Sequence, residues 1–204
     1  MATTMKRLES RKLYYGFPVY VLTYRDPSAR TGWSMSTGSS SYSLGWTAAF
    51  GVWGKTNGAS RIKEAGECTL SLVTRELMPI AERLGSARGI DVHDKIERCG
   101  AQLASLPEDG GGADREAGAV NEPMKYLAGS SLVLDLEVAS VTEIDGYVNF
   151  LAHVRSRYVA ESLVDERGAL VSSKLSPVNF VGDVASTVYR FPSDEVVGLG
   201  GFLK

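Results

Sequence analysis

Five hydroxyl side chains fall within eight residues at Gly38–Gly45 (GSSSYSLG): Ser39, Ser40, Ser41, Tyr42 and Ser43. The serines offer short donors and acceptors with little bulk, and the backbone N–H groups of such a turn can face an anion or the edge of a planar ring. Tyr42 adds a ring for stacking. The set suits a ligand with a polar heteroaromatic edge and an apolar end, such as an isoalloxazine. Composition alone favours the plainer reading, a solvated serine-rich turn with no ligand. A second cluster follows at Gly54–Asn57 (GKTN), at the mouth of a short helical segment. Unpaired N–H groups and the helix dipole favour a phosphate there. Lys55 adds a point charge, Thr56 a hydroxyl and Asn57 an amide. A nucleotide P-loop is excluded, because it needs a glycine five residues before Gly54 and that position holds Ala49. A charged turn with a helix cap is the competing reading.

The other reactive side chains are few. His93 and His153 sit in no metal-type spacing with Cys, Asp or Glu, so no metal is expected. Cys68 and Cys99 match neither a zinc pattern nor a disulfide framework and are expected to be reduced and buried. A formal charge of -2 gives no general attraction for a polyphosphate backbone, so nucleic acid is not an expected partner. No run approaches the ~20 apolar residues of a membrane span, and the basic start MATTMKRLESRK leads into no signal-like apolar stretch. The expected location is the cytoplasm. With 204 residues, 44% of them hydrophobic, the chain is expected to form one domain over 1–204.

The elements that must position these clusters are mostly strands. Val19–Tyr24 reads as a first core strand, and Arg25–Gly32 as the turn of a hairpin into a strand at Trp33–Thr37. The hydroxyl loop follows, then apolar strand character at Trp46–Trp53. Asn57–Ala65 reads as a short helix closed by Gly66 in the left-handed conformation, and Cys68–Leu72 as a strand. Leu77, Ile80, Ala81 and Leu84 recur at helical spacing within Arg75–Leu84, and a second short helix fits Val92–Cys99. Residues 107–123 (PEDGGGADREAGAVNEP) have little to bury and read as an exposed loop insertion. Ser131–Val141, Val148–Val159 and Val178–Val181 alternate apolar and polar at period two, with a turn at Glu143–Gly146. Many strands with helices confined to the middle indicate an antiparallel barrel or sandwich carrying a few helices.

From about Tyr14 to Tyr189 the chain resembles the flavin reductase-like family. The resemblance rests on the order and spacing of GFPVYVLTYRD, SSSYSLGW (Ser39–Trp46), AGECTLSL (Ala65–Leu72), HDKIERCGAQL (His93–Leu103), YVNFLAHVRSRYV (Tyr147–Val159) and LSPVNFVGDVASTVYRF (Leu175–Phe191). It implies a mainly β fold with some α, a six-stranded antiparallel Greek-key split barrel of the FMN-binding type. It further implies FMN as cofactor, with FAD possible, and NADH or NADPH as electron donor. A homodimer is implied, with a flavin-dependent monooxygenase as acceptor of the reduced flavin. The alternatives are an FMN-bound electron carrier, a specialised flavoenzyme without free-flavin reductase activity, and a split barrel that has lost flavin. The resemblance places Ser39–Ser43 at the flavin, with Tyr42, Trp33 and Trp46 as candidate walls of the ring slot or else core residues, and His93 as a proton donor to the reduced flavin or else a surface or cap histidine. Counting back from Gly66-Glu67, the family's Ser-x-Thr falls on Thr56-Asn57-Gly58 and a common Asn on Arg61. Gly58 therefore lacks a hydroxyl, and Lys55 with Arg61 is expected to hold the phosphate instead.

Overall fold

Period-two apolar patterning makes strand the commonest regular structure of the chain, and the structure, a computed structural model, describes residues 5–10, 12–88, 93–107, 122–193 and 195–202. In chain order the elements are β1 (Leu13–Pro18), β2 (Tyr20–Arg25), β3 (Trp33–Gly38), β4 (Ser41–Leu44), β5 (Thr47–Trp53), α1 (Asn57–Ala65) and β6 (Glu67–Leu72). A 3-10 turn at Arg75–Leu77 leads into α2 (Met78–Ser86). Then come α3 (Lys95–Arg98), β7 (Leu103–Ser105), β8 (Lys125–Leu127), β9 (Leu132–Ile144), β10 (Tyr147–Val159), β11 (Asn179–Asp183) and β12 (Thr187–Arg190). The expected helix start at Val92 and residues 108–121 of the expected 107–123 loop lie outside the described residues. The described ends of that loop are tied, since β7 pairs with β8 and the Leu106 N–H donates to the Met124 carbonyl at 2.8 Å.

The main sheet has the order β3-β2-β6-β9-β10-β5-β4, and every pairing in it is antiparallel. It contains seven strands where six were expected. The additional strand is β4, which pairs with β5 from Ser41↔Phe50 to Leu44↔Thr47. Half of the serine-rich loop is therefore strand. A short edge strand keeps one face and one row of backbone groups in water, so hydroxyl side chains do not prevent it. The edge strands β3 and β4 are separated in sequence by Ser39 and Ser40 alone, a link that spans no more than about 11 Å. The sheet must curl until its edges meet, and the two serines sit at the seam.

Strand β2 is buried on both faces and divides two cores. Tyr20, Leu22 and Tyr24 point into the barrel with Leu136, Phe50 and Phe150, the last two stacked at 5.0 Å between ring centroids. Val19 and Val21 point the other way, into a cluster with Met35, Leu84 and Ile96 that seats α2 and α3. Strand β1 pairs with β11, which pairs with β12, in a separate sheet beside the barrel. The β9–β10 hairpin turns on Asp145 and Gly146 at φ 51 and 78, the pair of positive angles that a two-residue turn requires. Both cysteines are reduced and buried. No helix among the described residues is long and apolar enough to cross a membrane.

Helix α1 has the span its residues suggest. The Thr56 Oγ1 accepts from the Ala59 N–H at 3.2 Å, and Gly66 ends the helix at φ 69 with its N–H on the Ile62 carbonyl. A Cβ added at Gly66 meets nothing within 4 Å. Gly66→Ala should therefore cost about 1 kcal/mol from backbone conformation alone. A urea midpoint unchanged from the native protein would contradict this.

Candidate functional site

At the seam, β3, the start of α1 and the end of α2 diverge and leave a cleft with two joined compartments. The larger, about 500 Å3, is walled by Tyr14, Trp53, Tyr147, Phe180 and Tyr189, with Ser39, Ser40 and Asn149 as polar lining and Lys12 as its one charged residue. The smaller, about 180 Å3, contains Lys55, Asn57, Arg88 and Lys95. Ser36, Thr37, Trp53, Thr56 and Gly85 line both and form the neck. An aromatic-walled chamber thus adjoins a basic annex, which suits a planar ring carrying an anionic tail.

The sequence-derived candidates divide. Ser39 and Ser40 line the chamber, and Lys55, Thr56 and Asn57 line the annex, so the serine link and the basic turn do converge on one cavity. The Ser40 carbonyl accepts from the Gly51 N–H at 2.9 Å, which fixes the link against β5. Ser41, Tyr42 and Ser43 lie on edge strand β4 and line neither compartment. Strand pleating turns them along the outside of the barrel, and Tyr42 is 62% exposed. Of the proposed ring walls, Trp33 is a core residue beneath the Arg25 guanidinium, and Trp46 is exposed beneath Arg157. Trp53, one β5 face further on, takes their place.

Thr56 has little left for a ligand, because its hydroxyl donates to the Trp53 carbonyl at 2.8 Å while capping α1. Arg61 points away from the annex. Its Nε lies 3.1 Å from Asp26 Oδ1 and its Nη1 2.7 Å from Glu64. Asp26 is a buried carboxylate that also accepts from the Ser28 hydroxyl at 2.6 Å, the Ser28 N–H at 3.1 Å and the Asn57 amide at 2.6 Å. Burial by itself pushes this carboxyl up. The donors of Ser28 and Asn57 and the Arg61 charge outweigh that and hold it below its usual value. The guanidinium expected at a phosphate is instead the counter-ion that lets Asp26 join the β2–β3 turn to α1. His93 lies outside both compartments. Its Nδ1–H donates to the Ser28 carbonyl at 2.8 Å, and its own carbonyl accepts from the Arg30 N–H, so it ties its segment to the same turn. That contact engages Nδ1, and His93 is not among the residues that line the chamber or the annex. His153 stands exposed on the barrel exterior, opposite Thr47 and Glu137.

The strongest chemical signal in the cleft is Lys95. It is only 5% exposed, and it makes no ion pair or side-chain hydrogen bond with any described residue. Burial pushes its ammonium down to about 8. A buried cation without a counter-ion is costly unless something anionic arrives. Helix α3 delivers Lys95 because Ile96 and Cys99 anchor that short helix in the core beside α2. The Asp94-Lys95 pair was visible in the sequence, but a lysine is normally a surface residue and nothing local marks this one as buried. Asn149 had a fainter signal, an amide on the outer face of β10 between the buried Val148 and Phe150. Among the described residues no group of His, Cys, Asp and Glu is arranged to hold a metal ion.

The sequence matches no protein-family model and no curated protein. Solved structures do match. The flavoredoxin of Desulfovibrio vulgaris (Miyazaki F) superposes with a TM-score of 0.75 at 18% identity, covering 98% of this chain and 100% of that one. An FMN-binding protein from Thermus thermophilus with bound 1-cyclohex-2-enone gives 0.70 at 16% identity, covering 97% and 98%. A split-barrel protein from Shewanella frigidimarina, described as a candidate flavin reductase, gives 0.69 at 15% identity, covering 90% and 85%. At these identities the likeness is one of fold. The fold is the split barrel of flavin reductase-like and FMN-binding proteins.

Proposed function

We propose that the cleft holds a flavin mononucleotide and that the protein is an oxidoreductase, taking electrons from NADH or NADPH and passing them on through that flavin. The observation that carries this reading is Lys95, a residue only 5% exposed whose ammonium has no counter-ion among the described residues and lines the basic annex joined to an aromatic-walled chamber. The residues fit the group. The chamber volume lies within the range of small-molecule sites, and three cations, Lys55, Arg88 and Lys95, face one annex that has no Asp or Glu among its lining residues. Similarity to a flavoredoxin and to an FMN-binding protein supports the same reading.

When bound, the flavin supplies hydride and electron transfer, which no side chain here can perform alone. The chain's own part is to hold and shield. Lys95, Lys55 and Arg88 bind and neutralise the phosphate, with Lys95 contributing most because it is least solvated. Tyr14, Trp53, Tyr147, Phe180 and Tyr189 exclude water from the ring, and Asn149 with the Ser39–Ser40 link offers polar contacts to its edge. A second copy of the chain is proposed to cover the exposed apolar residues near the seam, Tyr42, Leu44, Trp46 and Trp53, giving a homodimer. A flavin-dependent monooxygenase is the proposed acceptor.

The test is the purified protein mixed with FMN. Retained absorbance at roughly 370 and 450 nm, a general property of oxidised flavins, is expected, as is oxidation of NADH or NADPH with turnover of added FMN. Tight FMN binding without that turnover would make the protein an electron carrier, and no binding at all would end the flavin reading. Lys55→Ala should weaken FMN about tenfold in a fluorescence titration, equal to ~1.4 kcal/mol. An unchanged Kd would remove Lys55 from the phosphate site.

A further inference from the structure

The neck between chamber and annex carries three hydroxyl side chains, and two of them have already given their proton to backbone carbonyls. Thr37 Oγ1 donates to the Ala81 carbonyl of α2 at 2.7 Å, and Thr56 Oγ1 donates to the Trp53 carbonyl while accepting from the Ala59 N–H. Ser36 differs. Its Oγ lies 2.9 Å from the Tyr24 hydroxyl, in a contact where either oxygen can be the donor. Tyr24 is fully buried in the barrel core, so its ring has no freedom to follow a ligand. With Tyr24 donating, Ser36 keeps its own proton and one lone pair, both free to face the cleft, with their directions set by the tyrosine.

Position 58 explains how the pair fits. A Cβ built on Gly58 would approach the Ser36 Oγ to 3.0 Å and the Tyr24 Cε1 and Cζ to 3.2 and 3.3 Å. Gly58 is buried in the first turn of α1, and its missing side chain is the space that the Tyr24–Ser36 pair occupies. The hydroxyl absent from α1 at this position is thus replaced by one brought from β3.

Resting on the flavin reading above, we infer that Tyr24 is a positioning residue which, seated against Gly58, holds the Ser36 hydroxyl at the neck to recognise a polyol linker between a planar ring and a phosphate. The location decides the ligand class. A group at the neck meets neither the ring nor the anion but whatever joins them, and a hydroxyl that both donates and accepts matches a chain of hydroxyls better than a hydrocarbon spacer. Tyr24 acts through Ser36 and touches no ligand itself.

Three ligands separate the roles in fluorescence titrations of the full chain: FMN, riboflavin, which keeps the ribityl chain without the phosphate, and lumiflavin, which lacks both. Ser36→Ala, Tyr24→Phe and Gly58→Ala should each weaken FMN and riboflavin by roughly fivefold to tenfold, the span of one hydrogen bond. Lumiflavin should bind each variant as it binds the native protein. Because Tyr24 works through Ser36, the double variant Ser36→Ala with Tyr24→Phe should lose no more than either single one. Equal weakening of lumiflavin, unchanged binding of riboflavin, or additive losses in the double variant would each overturn the inference. If the native protein bound none of the three, the flavin reading would fail and this inference with it.

Discussion

Replacing Lys95 with methionine should weaken FMN binding by about a hundredfold, equal to ~2.7 kcal/mol, while making the ligand-free protein more stable. Both effects come from one buried charge. In the ligand-free fold Lys95 pays desolvation with no partner, and burial lowers its pKa from 10.5 to about 8. With a phosphate in the annex the same charge acts in a weakly screened setting, where losing one partner of a desolvated charge pair costs several kcal/mol. Methionine keeps the length and apolar contacts of the side chain and removes only the charge. A calorimetric Kd within threefold of native would dismiss Lys95 as the phosphate anchor. A lower urea midpoint for the ligand-free variant would show that the charge is not a burden.

The same group sets a pH dependence. Between pH 8 and 10.5 the unfolded chain still binds the Lys95 proton and the ligand-free fold does not. Stability of the ligand-free protein therefore rises with pH across that window, by ~3 kcal/mol at most. Affinity for FMN runs the other way. Above pH 8 a proton must be taken up for the ammonium to meet the phosphate, so binding weakens by up to about tenfold per pH unit. Below ~6 the phosphate loses its second charge, and the tightest binding is expected between these limits. Lys95→Met should flatten the alkaline limb.

Asp26→Ala should destabilise the protein by about 3 kcal/mol, because it leaves the Arg61 guanidinium, the Asn57 amide and the Ser28 hydroxyl facing a buried space without their acceptor. Arg61→Met should cost much less, since Asp26 keeps the Ser28 and Asn57 donors, and it should leave FMN affinity within twofold. Urea midpoints and FMN titrations on both variants check this. A large affinity loss in Arg61→Met would restore the phosphate role expected from sequence. The depressed Asp26 carboxyl contributes stability that is present above the ordinary carboxylate range and is lost as pH falls through its folded value. Asp26→Ala should accordingly be less sensitive to acid than the native protein.

Much of the fold was legible where local chemistry and tertiary context agree. Helix α1 has the expected bounds and its left-handed Gly66. The β2–β3 and β9–β10 hairpins, the strand before the basic turn and the buried face of α2 also lie where patterning puts them. Four strands were less visible. Strand β4 was hidden by its hydroxyls, since an edge strand needs no apolar alternation. Strands β7 and β8 are three residues each, too short to show a period, and β12 is exposed at every position, so neither burial nor alternation marks it.

What the amino-acid order determined by itself is local: which residues form strands and helices, where α1 starts and stops, and that a hydroxyl cluster and a basic turn lie close together in the chain. Only the tertiary structure decided which members of those clusters meet. Barrel closure brings Ser39, Ser40 and Lys55 to one cleft and turns Tyr42 and Ser43 outward, while Asp26 claims Arg61. Burial of Lys95 and the Tyr24–Ser36 contact beside Gly58 belong to the same category. The reason is that a charge or hydroxyl acquires its role from the partners and water it keeps after folding, and those partners come from segments far apart in the chain.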